Sequence, residues 1–138
     1  MTGEEREFLK ANRLVIVGMN RKAGPPHLTP VYCVLDGDDL LMSTTASRLK
    51  AKAVWRNPDV SLCVIGEQPP CPYLLIYGKG TIEQEGAVGA MMQVGARMTG
   101  NPVPESARPA LEERARSEGR VVLRVRPESI RGSLPRSG

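Results

Sequence analysis

The sequence predicts a mostly β, α+β chain folded as a small antiparallel barrel with peripheral helices. Three observations carry this expectation. Six short apolar runs of strand length are separated by turn-forming residues, including Asn20 to Pro26 and Asp36 to Asp39. The longest run, Tyr73 to Glu83, carries Gly78 and Gly80 two apart on one face, which calls for a bend or a closely packed neighbour. Helical segments interrupt the strands, one of them after the third strand and others before the last. A barrel of this size fills its interior with side chains, so a ligand is expected outside it or at a subunit seam.

In chain order, Glu4 to Ala11 reads as an opening helix with Phe8 and Leu9 on its apolar side. Leu14 to Val17 is a short strand rich in β-branched residues. Turn chemistry then leads to a second strand, His27 to Leu35, in a hairpin. Along that strand Leu28, Pro30, Tyr32 and Val34 face one way, and His27, Thr29, Val31, Cys33 and Leu35 the other. Pro30 cannot donate to a ladder and implies an edge, a bulge or a place where a ligand replaces pairing. Leu40 to Thr44 follows the Asp-Gly turn as a third strand. Val60 to Ile65 has Ser61 as its only polar member and reads as a strand covered on both faces. Glu67 to Pro72 is a stiff loop. Ala87 to Met98 places Val88, Met91, Met92 and Gly95 at helical spacing, as adaptable core or as the wall of a pocket. A charged helix spans Ala107 to Ser117, Gly119 ends it, and Arg120 to Val125 is the last strand. The tail from Arg131 to Gly138 is expected to fray at its end.

At 138 residues the chain is expected to form one domain, residues 1–138, burying about two-thirds of its unfolded surface. The charged opening Met-Thr-Gly-Glu-Glu-Arg-Glu and the lack of any apolar run of membrane length imply a cytoplasmic protein with no membrane partner. Cys33, Cys63 and Cys71 form no Cys-x-x-Cys pair and, with the single His27, make a poor metal set. Cys33 and Cys63 sit in apolar runs and are expected to be buried, Cys71 exposed. A net charge of +4 with 4% aromatic residues leaves little material for stacking bases, so no nucleic-acid partner is expected.

The segment Ser43 to Pro58 concentrates the chemistry. Three hydroxyls (Ser43, Thr44, Thr45) close a strand, Ser47 is placed to cap a helix, and Pro58 stops it. Arg48, Lys50, Lys52 and Arg56 lie in this segment without one acidic residue, and Arg48, Lys52 and Arg56 share a helical face. Like charges four apart repel by about 0.2–0.5 kcal/mol per pair. Two readings are open for this segment, a solvated basic face or a phosphate cradle of helix amides, hydroxyls and fixed cations.

Six stretches, taken in order, resemble a known family: Pro-His-Leu-Thr-Pro-Val; Leu-Asp-Gly-Asp-Asp-Leu-Leu-Met-Ser-Thr-Thr; Ser-Arg-Leu-Lys-Ala-Lys; Arg-Asn-Pro-Asp-Val-Ser-Leu-Cys-Val; Tyr-Gly-Lys-Gly-Thr-Ile; and Gly-Arg-Val-Val-Leu-Arg-Val-Arg-Pro-Glu-Ser-Ile-Arg-Gly. The chain is similar to the split β-barrel flavin and deazaflavin oxidoreductases of the pyridoxamine 5′-phosphate oxidase superfamily. Its nearest likeness is to the F420-dependent branch, which includes F420-dependent biliverdin reductases. The resemblance spans nearly the whole chain and rests on the ordered set of motifs. It implies a homodimer with two cofactor sites at the seam. It places Ser43, Thr44, Thr45, Arg48 and Lys50 at the cofactor phosphate, with Thr29, Pro30 and Val31 against the ring. Lys52 matches less securely, near the acidic tail of F420 or in solvent. Two departures stand out. The C-terminal Arg-x-His element of true pyridoxamine phosphate oxidases is missing, since His27 is the only histidine, and that activity is not expected. Tyr77 stands before Gly78 where family members commonly carry an acidic residue.

The resemblance implies an oxidoreductase passing a hydride from reduced coenzyme F420 to a conjugated small molecule. FMN in the same site, or a non-catalytic cofactor carrier, are the alternatives. No residue is assigned a catalytic role, because no histidine–carboxylate or nucleophile–base set is evident. Tyr32, Tyr73 and His27 are candidate proton donors that serve equally well as structural residues.

Overall fold

A computed structural model describes residues 1–134, and for Leu49 the backbone. Twelve elements follow one another: α1 (Gly3–Ala11), β1 (Leu14–Met19), β2 (His27–Tyr32), β3 (Val34–Asp36), β4 (Asp39–Thr45), α2 (Leu49–Arg56), β5 (Asp59–Ile65), β6 (Tyr73–Glu83), α3 (Ala87–Thr99), a 3-10 turn (Glu105–Ala107), α4 (Arg108–Glu118) and β7 (Arg120–Ser133). The seven strands form one sheet in the order β2-β1-β5-β6-β7-β4-β3, with every neighbouring pair antiparallel. No helix among the described residues is long and apolar enough to cross a membrane.

The two edge strands are consecutive in sequence. Only Cys33 separates Tyr32, which pairs with Leu14, from Val34, which pairs with Leu41 at the far end of the sheet. Two residues of extended chain reach at most about 7 Å, so the sheet must roll until its edges meet. The expected single strand from His27 to Leu35 is therefore two strands, and the strand count is seven instead of six. The predicted alternation survives the break. Val31, Cys33 and Leu35 join the barrel core, whereas Val34 lies outside it, under α3.

The core is built from alternate residues of every long strand. Val15, Val17 and Met19 meet Leu62, Val64, Leu74, Ile76, Leu123, Val125, Leu40 and Met42 inside the barrel. α1 adds Leu9 and α2 adds Ala53 and Val54 to the same cluster. A second, smaller cluster of Val34, Leu41, Ala90 and Val122 holds α3 on the outer face of β3, β4 and β7. The methionine stripe is split: Met91 is buried, Met92 half-buried and Met98 exposed.

The two glycines of β6 are explained by close neighbours, a helix and a bend. A Cβ on Gly80 would lie 2.9 Å from Val60 Cγ2 and 3.3 Å from Val54 Cγ2 of α2. A Cβ on Gly78 would lie 2.2 Å from the carbonyl oxygen of Arg126, where the β6–β7 register shifts. β7 continues well past its predicted end at Val125. Pro127 sits opposite Gly78, the bulge takes up Glu128, and Ile130 to Ser133 pair with Tyr73 to Ile76. Pro135 to Gly138 of the expected fraying tail lie outside the described residues.

Two arginines tie the layers together. Arg97 of α3 donates to the Cys33 carbonyl at 3.2 Å, to Lys10 O at 2.9 Å and to Leu9 O at 2.7 Å, joining the strand junction to the C-terminal carbonyls of α1. Arg124 of β7 bonds Glu83, Asp36 and Asp39 from three other segments, and these carboxylates, Glu83 foremost, raise its pKa.

Gly78→Ala is expected to destabilise the protein more than Gly80→Ala, because backbone must move in the first case and a side-chain methyl in the second. Overpacking of the Gly80 kind costs about 1–3 kcal/mol. Urea denaturation of both variants tests this, and equal losses would contradict the register at the bulge. Arg97→Ala leaves three carbonyls without their donor and is expected to cost about 1.5–3 kcal/mol by the same measurement.

Candidate functional site

One end of the barrel is covered by α2, and the sequence-predicted site residues gather there from two directions. Thr44 and Thr45 end β4. Ala46 N–H donates to Gly119 O at 2.9 Å and Arg48 N–H to Thr45 O at 3.1 Å, which turns the chain sharply into the helix. The helix begins one residue later than expected: Arg48, in extended conformation, is the N-cap, and Ser47 precedes it. Arg48 makes no side-chain capping bond and the first turn holds no acidic residue. The first amides of α2 thus keep their hydrogen-bonding capacity and the positive end of the helix dipole is not neutralised by its own sequence.

Lys50 stands in this first turn, half-buried, and its pKa is lowered from 10.5, by burial first and by the neighbouring Arg48 second. A cation held where its charge is disfavoured is the condition that a bound anion relieves. Thr44 is 2% exposed and its hydroxyl has no hydrogen-bond partner. Thr29 reaches the same end on β2. It pairs with Val17, whose side chain is in the core, so Thr29 also turns inward, and its buried hydroxyl is likewise without a partner. Buried hydroxyls are normally bonded, so each of these marks a place where a further group or a water belongs.

The remaining predicted residues are distributed differently. Val31 packs against the core from the inner side of β2. Pro30 lies on the outer side of that edge strand, exposed, opposite Ile16. Ser43 is half-buried on the outer side of β4 opposite Val122, and Thr45 is buried. Lys52 is exposed, as are Arg48 and Arg56. Arg56 anchors its helix by donating to Asn20 O at 3.1 Å. Of the candidate proton donors, His27 pairs with Met19 at the α2 end. Tyr32 pairs with Leu14 and Tyr73 with Ile65, at the other end.

A second feature lies on the outer side of β2, β1, β5 and β6. Leu14, Leu28, Ile65, Tyr73 and Tyr77 are large apolar side chains left exposed there, Leu28 at 66%. Gly18, Ser61 and Gly78 form the floor of a groove of about 420 Å³ beside Leu28 and Tyr77. Sequence reading missed this surface, because it placed Val60 to Ile65 as covered on both faces; Cys63 is accordingly half-buried, while Cys33 is buried and Cys71 exposed as expected. All three cysteines are free. The Arg97 clamp was also missed, although a lone cation near the end of an apolar helix was its signal.

The model of the family described as pyridoxamine 5′-phosphate oxidase matches residues 1–133. No curated protein matches the sequence. A solved structure of a conserved hypothetical protein from Mycobacterium tuberculosis superposes with a TM-score of 0.83 at 22% identity, covering 100% of this chain and 91% of that one. A structure of an F420 reductase gives 0.75 at 24% identity over 95% and 98% of the two chains. An FAD-binding protein from Mesorhizobium loti gives 0.63 at 18% identity over 96% and 94%. These likenesses establish the same fold.

The position of Lys50 predicts an opposition between stability and binding. In the ligand-free protein its charge costs stability wherever the group is protonated in the folded state, and the cost fades as pH rises from the lowered folded pKa towards 10.5. Lys50→Gln is therefore expected to raise the melting temperature at neutral pH, with a gap to wild type that narrows at alkaline pH. A lower melting temperature for the variant would contradict the unrelieved charge.

Proposed function

Because the chain belongs to the pyridoxamine 5′-phosphate oxidase family, we propose that it is an F420-dependent oxidoreductase that reduces a conjugated small molecule. The observation that carries this reading is the cradle. The two buried, unpartnered hydroxyls found among the described residues, on Thr29 and Thr44, belong to the set predicted for the cofactor, at the end of the barrel where α2 presents an uncapped N-terminus and Lys50. Hydroxyl donors, free helix amides and a half-buried cation fit a phosphate group. The likeness to an F420 reductase supports a deazaflavin in particular, and that to an FAD-binding protein supports a flavin-type ring in general.

When bound, the reduced deazaflavin would supply the hydride from C5 of its ring. The residues of this chain then hold and shield it. Thr44, Arg48, Lys50 and the first amides of α2 would fix the phosphate, with Ser43 and Thr45 shaping the strand end. Thr29, Pro30 and Val31 would set the ring along the edge of β2, where one row of backbone groups is free of pairing. Of the three candidate donors, His27 would be the one at this end of the barrel. Lys52 stands outside this set on the exposed side of α2 and would reach only a cofactor's acidic tail. Activity on pyridoxamine phosphate itself is not expected, since His27 lies on β2 and no second histidine exists.

The exposed apolar side of β2, β1, β5 and β6 supports a homodimer, in which a second copy covers Leu14, Leu28, Ile65, Tyr73 and Tyr77 and completes the wall of each cofactor site. Sedimentation should give a dimer, and a monomer would remove the seam.

Fluorescence titration of purified protein is expected to show binding of F420 and weaker or no binding of FMN. Lys50→Ala should weaken cofactor binding by at least about 1.5 kcal/mol, the lower range for a charge-assisted hydrogen bond. Yellow protein carrying tightly bound FMN would overturn the F420 assignment. Failure of bound reduced F420 to be oxidised by any of a panel of conjugated acceptors would favour a carrier.

A further inference from the structure

No membrane partner is expected from the lack of a spanning segment, which does not bear on surface attachment; we propose that the outward face of α2, with the adjoining Arg21-Lys22 loop, docks on an anionic lipid bilayer. The helix has two distinct sides. Ala51, Ala53 and Val54 are buried and Lys50 half-buried on one, whereas Arg48, Lys52, Trp55 and Arg56 are all exposed. At 100° per residue Lys52, Trp55 and Arg56 fall within an arc of about 100°, and Arg48 stands at the N-cap of the same helix. Trp55 is the only tryptophan in the chain and stands 59% exposed among the cations. The bond from Arg56 to Asn20 O brings the loop bearing Arg21 and Lys22, both exposed, alongside this face.

The charge on this face is not neutralised locally. Among the described residues, none of Arg21, Lys22, Arg48, Lys52 and Arg56 takes part in an ion pair, while Arg6, Lys10, Lys79, Arg108, Arg114, Arg116, Arg120, Arg124 and Arg126 all do. Five cations against a net charge of +4 for the whole chain make this the basic pole of the molecule. Like charges spaced by four residues repel, and a plane of negative headgroups offsets all of them together. An exposed indole between them has an apolar body and a polar N–H, the combination that settles at the headgroup level of a bilayer. The face is a convex helix side, suited to a plane. An acidic protein would account for the cations but leaves Trp55 without a role.

This inference shares Arg48 and Lys52 with the proposed cofactor site, so its variants are made at Trp55, Arg21 and Arg56, which that site does not use, and either can fail alone. The test is co-sedimentation of the full chain with vesicles of phosphatidylcholine and with vesicles of phosphatidylcholine mixed equally with phosphatidylglycerol, alongside Trp55 emission. Expected is binding to the mixed vesicles only, lost on adding salt, with emission shifted to shorter wavelength. Trp55→Ala should reduce sedimentation. The double variant Arg21→Gln, Arg56→Gln should lower partitioning roughly 25-fold, about fivefold per cation. Equal sedimentation with both vesicle types, or unchanged binding of these variants, would overturn the proposal. Poly-glutamate that shifts Trp55 emission as far as the vesicles do would overturn it in favour of an acidic protein. Cofactor affinity of Trp55→Ala should match wild type.

Discussion

The two ends of a seven-stranded sheet are joined by one residue. Cys33 leaves β2 and β3 no freedom to lie apart, so closure of the sheet is imposed by chain connectivity as much as by apolar burial. Everything around the junction is arranged to hold it: the Cys33 side chain is in the core, and Arg97 bonds its carbonyl while gripping the last turn of α1. β2 pairs with β1 and β3 with β4, so the upstream part of β2 diverges from β4 instead of pairing with it. The inward hydroxyls of Thr29 and Thr44 come from those two strands, which do not pair with each other. A closed barrel with full pairing at that point would have no such end for a ligand to enter.

Much of this was legible in local patterns. Tyr73 to Glu83 was read to the residue, and the α1, β5 and α2 boundaries fall within one residue of the expectation, because apolar alternation and Pro or Gly punctuation fix them. The break at Cys33 was invisible, since the alternation of inward and outward residues runs straight through it and only the pairing partner changes. The length of β7 was missed for a related reason. Pro127 is a strand breaker in isolation, and the bulge against Gly78 that accommodates it involves a residue 49 positions away in the chain. In the candidate site, the contiguous group from Ser43 to Lys50 was legible from charge and hydroxyl content. The division of α2 between a buried Lys50 side and an exposed Trp55 side was not, as it depends on how the helix sits over Gly80 and Val60.

Helix α2 illustrates how one short segment serves packing and charge together. Eight residues are too few to be stable as an isolated helix, so its persistence depends on Ala53 and Val54 in the core and on the bond from Gly80 N–H to Pro58 O just beyond its end. Those anchors allow a first turn with no capping side chain, no acid and a half-buried lysine, each unfavourable locally. The glycine at position 80 is the counterpart of this arrangement, since a side chain there would press on Val60, Leu123 and Val54 of α2.

Cys33 carries a thiol as well as a junction. Burial pushes its pKa up to about 11, so the thiol form prevails at neutral pH. Oxidants and disulfide exchange act through the thiolate, so both its burial and its raised pKa disfavour reaction at the Cys33 sulfur. The cysteine that closes the barrel is thus withheld from thiol chemistry, whereas Cys71, free and exposed in the loop before β6, is open to it.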